Sequence, residues 1–139
     1  MSAEENKGLM HRWVEEFNKG KAAAMAVIDR SGDMRGDLKE RARFKQMESE
    51  LYDAFPDLHV TIDDMVAEGD KVATRTTWTG THKGEFMGVP PTNKKMTFSL
   101  IVINRFAGGK IVEDHGEYSA LDLMRQLGLS RIPTPKKEK

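Results

Sequence analysis

The spacing of apolar residues changes at Pro56 in this 139-residue chain. Ahead of Pro56 they recur every three or four positions, which predicts helices over residues 3–18, 21–28 and 37–55. Beyond it, apolar and β-branched residues alternate with polar ones in several segments, as strands require, and the stripe at 121–127 returns to helical spacing. The predicted order is therefore three helices, four strands and one helix.

Capping residues mark the starts of three of these helices. Ser2 and Asp37 each stand three positions ahead of a glutamate, which is the spacing of a capping box. Ser119 directly precedes the last apolar stripe, and Gly128 follows it at a position that favours a helix stop. We expect these residues to fix the helix boundaries.

Strands joined by hairpins pair antiparallel, and helices gathered ahead of them must cover one face of the sheet. The sequence therefore predicts an α+β fold in which a curved antiparallel sheet packs against N-terminal helices, with a C-terminal helix and a blind apolar cavity. Residues 96–106 carry apolar side chains on both faces, which predicts a central strand covered on both sides. A homodimer through the sheet is expected to supply the second cover.

We expect one domain over residues 1–130 and a flexible basic tail over 131–139. The chain has no cysteine, which excludes disulfides and thiolate chemistry, and 22 basic residues balance 22 acidic ones, which disfavours nucleic acid as a partner. The longest run of small apolar residues, 22–28, is too short to cross a membrane. Asp63 and Asp64 lack further ligands nearby in sequence, so no metal site is predicted. A cytoplasmic location is expected by default.

Residues 80–95, GTHKGEFMGVPPTNKK, form a connection between two predicted strands that is too long for a simple hairpin. Glycine permits unusual backbone angles and close approach, while consecutive prolines hold a chain extended. This composition favours a shaped rim around the opening of a cavity.

Several segments together resemble the SnoaL-like polyketide cyclase family. They are residues 54–58 (AFPDL), 68–73 (EGDKVA), 80–92 (GTHKGEFMGVPPT), 109–113 (GKIVE) and 127–128 (LG). The resemblance implies the cone fold shared with ketosteroid isomerase and nuclear transport factor, and a conical pocket for a polycyclic or other hydrophobic carbonyl compound. It also implies acid–base chemistry, an intramolecular aldol closure in the cyclases, without a metal or organic cofactor.

The last strand departs from the pattern of these cyclases, which have a histidine there and a catalytic acid two places on. Aligned without a gap, the histidine position is Asp114 and the acid position is Gly116, so Asp114 becomes the candidate acid–base residue, one step along. A β-bulge after Glu113 would instead bring His115 and Glu117 into those two positions. The sequence leaves both alternatives open, and a third in which neither set is catalytic.

Other residues are candidates for ligand contact, each with a plainer structural interpretation. Val102 stands where the resemblance places a second family histidine, on the preceding strand. The remaining candidates are Phe17 and Trp78 as pocket wall, Arg75 as an oxyanion partner or a surface charge, His82 as a rim or substrate residue, and Tyr118 as a donor to a carbonyl or a buried tyrosine.

Two functions are compatible with these residues. The first is a cofactor-independent cyclase, isomerase or lyase that acts on a hydrophobic carbonyl compound. The second is a non-catalytic domain that binds a small molecule or a protein and has lost the acid at Gly116.

Overall fold

Helices occupy the first part of the chain and strands the second, as the change of spacing predicts. The computed structural model describes residues 2–30 and 38–128. The helices are α1 (Ala3–Asn18), α2 (Lys21–Arg30), α3 (Leu38–Ala54) and α4 (Ala120–Gln126). The strands are β1 (His59–Glu68), β2 (Lys71–Thr81), β3 (Lys95–Ala107) and β4 (Lys110–Tyr118). The predicted tail at 131–139 lies outside the described residues.

Local side-chain contacts explain where two of the helices begin. At the start of α1, Ser2 Oγ accepts a hydrogen bond from the Glu5 amide at 3.1 Å, and Glu5 Oε1 accepts one from the Ser2 amide at 3.2 Å. Ser119 caps α4 by accepting a hydrogen bond from the Asp122 amide. The capping box and the Ser119 cap are thus confirmed, whereas Asp37 lies outside the described residues. Caps of this kind contribute about 1 kcal/mol each.

The four strands form one antiparallel sheet in the order β1-β2-β3-β4. Two irregularities interrupt its pairing. One lies in β1 between Ile62 and Asp64, and the other lies in β4, where Val112 is the extra residue opposite the Arg105–Phe106 step. Bulges bend a strand and increase its twist, which helps the sheet to curve around the helices. The predicted α+β fold with a curved antiparallel sheet is confirmed.

Strand β3 shows which face of the sheet the helices cover. Met96, Val102 and Phe106 are buried on the inner face, whereas Ile101 and Ile103 on the outer face keep 51% and 45% of their surface exposed. Within a single chain the helices therefore cover the inner face of this strand alone, and the cover of its outer face stays a prediction that rests on the homodimer. The apolar outer face explains why the pattern looked doubly buried, since sequence alone does not show what covers it.

Candidate functional site

A cavity lies between the inner face of the sheet and the helices, and its deeper part is called the inner chamber here. Its volume is about 150 Å³. Its wall is mostly apolar and consists of Met10, Trp13, Val14, Phe17, Glu48, Val60, Thr76, Trp78, Leu100, Val102, Asn104, Ile111, Asp114 and Gly116. A narrow apolar space with a few polar groups is typical of small-molecule sites.

A wider outer chamber of about 860 Å³ adjoins the inner one. Helix α3, the sheet and the rim segment (residues 82–94, between β2 and β3) line it, and Glu85, Phe86, Met87 and Gly88 are the rim residues in its wall. Five residues belong to the walls of both chambers and define the junction between them: Glu48, Trp78, Leu100, Asp114 and Gly116. A ligand that fills both chambers must pass these residues.

Aromatic rings form much of the sheet wall. The ring of Trp78 stacks on that of Phe98 with centroids 5.8 Å apart and planes 16° apart, and Phe98 in turn contacts Tyr118 at 5.7 Å. Trp78 Nε1 donates to Thr76 Oγ1 at 2.8 Å, and Thr76 Oγ1 donates to the carbonyl of Leu100 at 2.9 Å. Because the indole N–H is satisfied internally, this wall offers the cavity a flat apolar surface that suits planar ligands.

The pairing of β3 with β4 decides which β4 side chains face the cavity. The bulge lies at Val112, ahead of Glu113, and no shift occurs between Glu113 and Tyr118. As a result Ile111 and Asp114, three positions apart, both line the inner chamber. Asp114 therefore faces the cavity, and the bulge precedes Glu113, whereas the second alternative needs a bulge after it.

Two cross-strand pairs lie side by side on this inner face. Val102 pairs with Gly116, and Asn104 pairs with Asp114. Asn104 is 1% exposed, and its Nδ2 donates to the carbonyl of Glu113 at 3.3 Å. The Val102–Gly116 pair is apolar. The Asn104–Asp114 pair, one step along the same ladder, places an amide opposite a carboxylate.

Three of the candidate residues lie on the outer face of the sheet, away from the cavity. His115 and Glu117 are on the outer face of β4, where they pair with Ile103 and Ile101, and the His115 side chain is 74% exposed. Arg75 is also on the outer face, with its guanidinium 3.9 Å from the carboxylate of Asp63. By contrast, Phe17, Trp78, Val102, Asp114 and Tyr118 all line one chamber or both.

His82 is enclosed within the rim segment and lines neither chamber. Its Nδ1 accepts a hydrogen bond from the Thr92 amide at 3.3 Å and lies 3.0 Å from Thr92 Oγ1, so the neutral ring carries its proton on Nε2. The backbone of His82 pairs with Asn93 and Lys94. His82 therefore holds together the two ends of the rim segment.

The enclosed ring of His82 gives the fold a pH dependence. Burial lowers the pKa of His82 below its ordinary value of 6.5, partly opposed by the nearby carbonyls of Gly84 and Val89. The unfolded chain therefore binds a proton more readily than the folded one, and stability is lost as pH falls below 6.5. We expect the midpoint of urea denaturation to decrease when the pH is lowered from 7.5 to 5.5. The decrease should be smaller in His82→Gln. The matched control, His59→Gln at an exposed position, should retain the wild-type slope.

Glycines let the rim segment and its flanks lie close to the end of α3. A Cβ at Gly80 would lie 2.9 Å from that of Phe55, and one at Gly84 would overlap the carbonyl oxygen of Asp53. The amides of Lys83 and Gly84 both donate to the carbonyl of Ala54. The rim is therefore fastened to the helix that forms the other wall of the outer chamber.

Sequence reasoning missed two polar residues of the wall, Glu48 and Asn104. Glu48 lies one position after Met47 and three before Leu51, so a charged residue interrupts the apolar stripe of α3. Asn104 similarly stands among alternating apolar residues of β3. A polar residue at a position whose spacing predicts burial is the signal that could have identified both.

Within 2–30 and 38–128, no three His, Cys, Asp or Glu side chains converge so as to hold a metal ion. Among the helices of these same ranges, none combines the length and the apolar character needed to cross a membrane.

The chain was then compared with known proteins. Residues 9–127 match the sequence profile described as SnoaL-like polyketide cyclase. Among solved structures, AclR from Streptomyces galilaeus, a proposed hydroxylase, is 29% identical with a TM-score of 0.78, covering 91% of this chain and 98% of its own. IdmH from Streptomyces antibioticus, a proposed polyketide cyclase, is 27% identical with a TM-score of 0.71, covering 89% and 99%.

TsrD from Streptomyces laurentii, at 24% identity and a TM-score of 0.78, covers 92% of this chain and 98% of its own and shows the shared fold alone. The comparison with curated proteins gives no significant match. The similarities extend along nearly the whole described chain, including both walls of the cavity.

Proposed function

Because the chain belongs to the SnoaL-like polyketide cyclase family, we propose that it is a cofactor-independent acid–base enzyme that acts on a hydrophobic carbonyl compound. The compound would occupy the two chambers, with its planar part against the aromatic wall formed by Trp78 and Phe98. The two similar proteins with named activities are a proposed hydroxylase and a proposed cyclase. The reaction must therefore be argued from the residues of this cavity.

The observation that carries the proposal is the position of Asp114. It is the one carboxylate of the sheet that lines both chambers among the described residues. Its partner across the ladder is Asn104, just as Gly116 is opposite Val102. The resemblance places a histidine and an acid at the Val102 and Gly116 positions. The polar pair Asn104–Asp114 therefore repeats that cross-strand relation at the next pair of the same face.

The proposed chemistry begins with removal of a proton next to the carbonyl of the substrate. The carboxylate of Asp114 accepts this proton, the electron pair of the C–H bond enters the enolate, and negative charge develops on the carbonyl oxygen. Ring closure, isomerisation or cleavage can follow from this enolate, each ending with the return of one proton. Cyclase, isomerase and lyase activities thus share the step that we assign to Asp114.

A non-catalytic binding domain is the alternative, and the absence of a side chain at Gly116 favours it. A Cβ there would lie 3.2 Å from Leu100 Cδ1, so the Leu100 side chain partly fills the space that an acid would need. Such a domain would keep the cavity and bind the same class of ligand without turning it over.

A thermal-shift screen with flat polycyclic ketones and anthraquinones tests whether the chambers bind ligands at all. A ligand at one hundred times its Kd stabilises the folded state by about 2.7 kcal/mol, which should raise Tm by several degrees. Binding together with α-proton exchange of the bound ketone supports the enzyme. Binding without exchange supports the alternative, and no binding by any of these compounds contradicts both.

The proposal includes a homodimer formed through the outer face of the sheet. Ile101, Ile103 and Val66 are 51%, 45% and 62% exposed on this face, and burying them against a second copy would stabilise the pair. We expect sedimentation equilibrium at micromolar concentration to give twice the mass of the chain. Ile103→Glu should give a monomer, because the pair would bury the charge, whereas Glu117→Gln should leave the dimer intact. A monomeric wild-type protein would contradict the proposal.

A further inference from the structure

Glu48 is a carboxylate in the helix layer of the cavity. It lies on α3, whereas Asp114 lies on the sheet, and both belong to the junction between the chambers. Glu48 occupies an apolar stripe of the helix, between Met47 and Leu51, which turns its side chain toward the cavity. The two carboxylates therefore reach the same part of the cavity from its two different walls.

The surroundings of Glu48 are more enclosed than those of Asp114. Glu48 as a residue is half-buried and its Oε2 is fully buried, whereas Asp114 is exposed. Glu48 also lies close to Tyr52, because its charge when ionised adds to the effect of burial, the larger cause, in raising the pKa of Tyr52. The Tyr52 hydroxyl itself donates to the carbonyl of Phe17 at 2.6 Å, so it is committed to the core.

Two carboxyl groups in unlike surroundings suit two different roles. Burial disfavours the charged form of a carboxyl group, which suits the more enclosed Glu48 to the role of proton donor. An acid–base reaction on a carbonyl compound needs a proton acceptor at carbon and a proton donor at oxygen. Groups on two walls of one junction can serve both at once, since the substrate lies between them.

We propose that Glu48 is a second catalytic residue, which donates a proton to the carbonyl oxygen of the substrate while Asp114 takes one from the adjacent carbon. This inference rests on the function proposed above. In balance, the C–H bond breaks, its electron pair forms the enol C=C bond, and the O–H bond of Glu48 breaks as the enol O–H bond forms. Asp114 ends protonated and Glu48 ionised, and reversal of the two transfers restores both.

The test measures deuterium uptake from D₂O at the α-carbons of 2-tetralone, a bicyclic ketone, by NMR. Glu48→Gln removes the donor at nearly constant size, and Glu48→Asp retains a carboxyl on a shorter side chain. The matched control is Glu15→Gln, an exposed glutamate of α1 that lines neither chamber. Binding of 2-tetralone, followed through Trp13 and Trp78 fluorescence, separates affinity from turnover.

We expect Glu48→Gln to lower the exchange rate of bound ketone about 100-fold or more with little change in Kd, and Glu48→Asp to restore part of it. The wild-type rate should decline with rising pH as the donor loses its proton. This decline should be absent in Glu48→Gln, because no donor remains. A wild-type rate and pH profile in Glu48→Gln would overturn the role of Glu48 while leaving the enzyme proposal standing. No exchange by the wild-type protein above the buffer rate would overturn the proposed function and this inference with it.

Discussion

Replacing Asp114 by Asn lowers α-proton exchange in a bound ketone by about 10²–10⁴-fold, if the carboxylate is the general base. Asparagine keeps the size of the side chain and can accept hydrogen bonds, but it does not accept a proton at neutral pH. Because Asp114 is exposed toward the cavity, the free energy of unfolding should change by no more than about 0.5 kcal/mol. The measurement is NMR exchange at saturating ketone, with Tm recorded on the same samples.

The matched control for this substitution is Glu117→Gln, on the outer face of the same strand. It removes a carboxylate of the same charge three pairs away along β4, and it should leave the exchange rate unchanged. A large loss in Glu117→Gln with none in Asp114→Asn would contradict the proposal and favour the alternative set of His115 and Glu117. Equal, full activity in both variants would exclude both sets.

Gly116→Leu is expected to weaken ligand binding by about 100-fold, which corresponds to about 2.7 kcal/mol. Gly116 belongs to the junction, and its strand partner Val102 and neighbour Leu100 already lie within 4 Å of a Cβ built there. A leucine side chain must therefore extend into the cavity and separate the inner chamber from the outer one. Its effect should fall on Kd, because the substitution leaves Asp114 and Glu48 unchanged.

Tryptophan fluorescence can measure the expected loss of ligand affinity in Gly116→Leu directly. The chain has two tryptophans, Trp13 and Trp78, and both line the inner chamber. Gly116→Ala is the control, since one methyl group needs only a small shift of the end of the Leu100 side chain, and Kd should change by less than about threefold. Wild-type affinity in Gly116→Leu would show that ligands bind without crossing the junction.

Features fixed by local sequence were predicted well. The capping box at Ser2 and the cap at Ser119 depend on side chains within three positions of each other, and both are confirmed. The antiparallel sheet also follows from local alternation and short turns. By contrast, what covers the outer face of β3 depends on partners, so the exposure of Ile101 and Ile103 in the single chain leaves the expected second cover a prediction.

The candidate site was predicted less completely, for physical reasons. The position of a bulge depends on the fit of two strands, and the sequence of β4 permits it at more than one residue. Asp114 and the pair of His115 and Glu117 therefore both remained open as catalytic candidates. Glu48 was missed because its helix was assigned from apolar residues alone. The packing of α3 against the cavity, which gives that carboxylate its surroundings, is visible in three dimensions alone.

The bulge at Val112 also bears on how proteins of this kind diverge. Strand β4 carries two sets of polar side chains on its two faces, and the bulge decides which set faces the cavity. The insertion or deletion of one residue in the β3–β4 hairpin could exchange these sets without any substitution in either. Homologues that are identical at every aligned position of β4 could thus present opposite chemistry to their ligands, so their evolution should be traced through strand pairing as well as through residue identity.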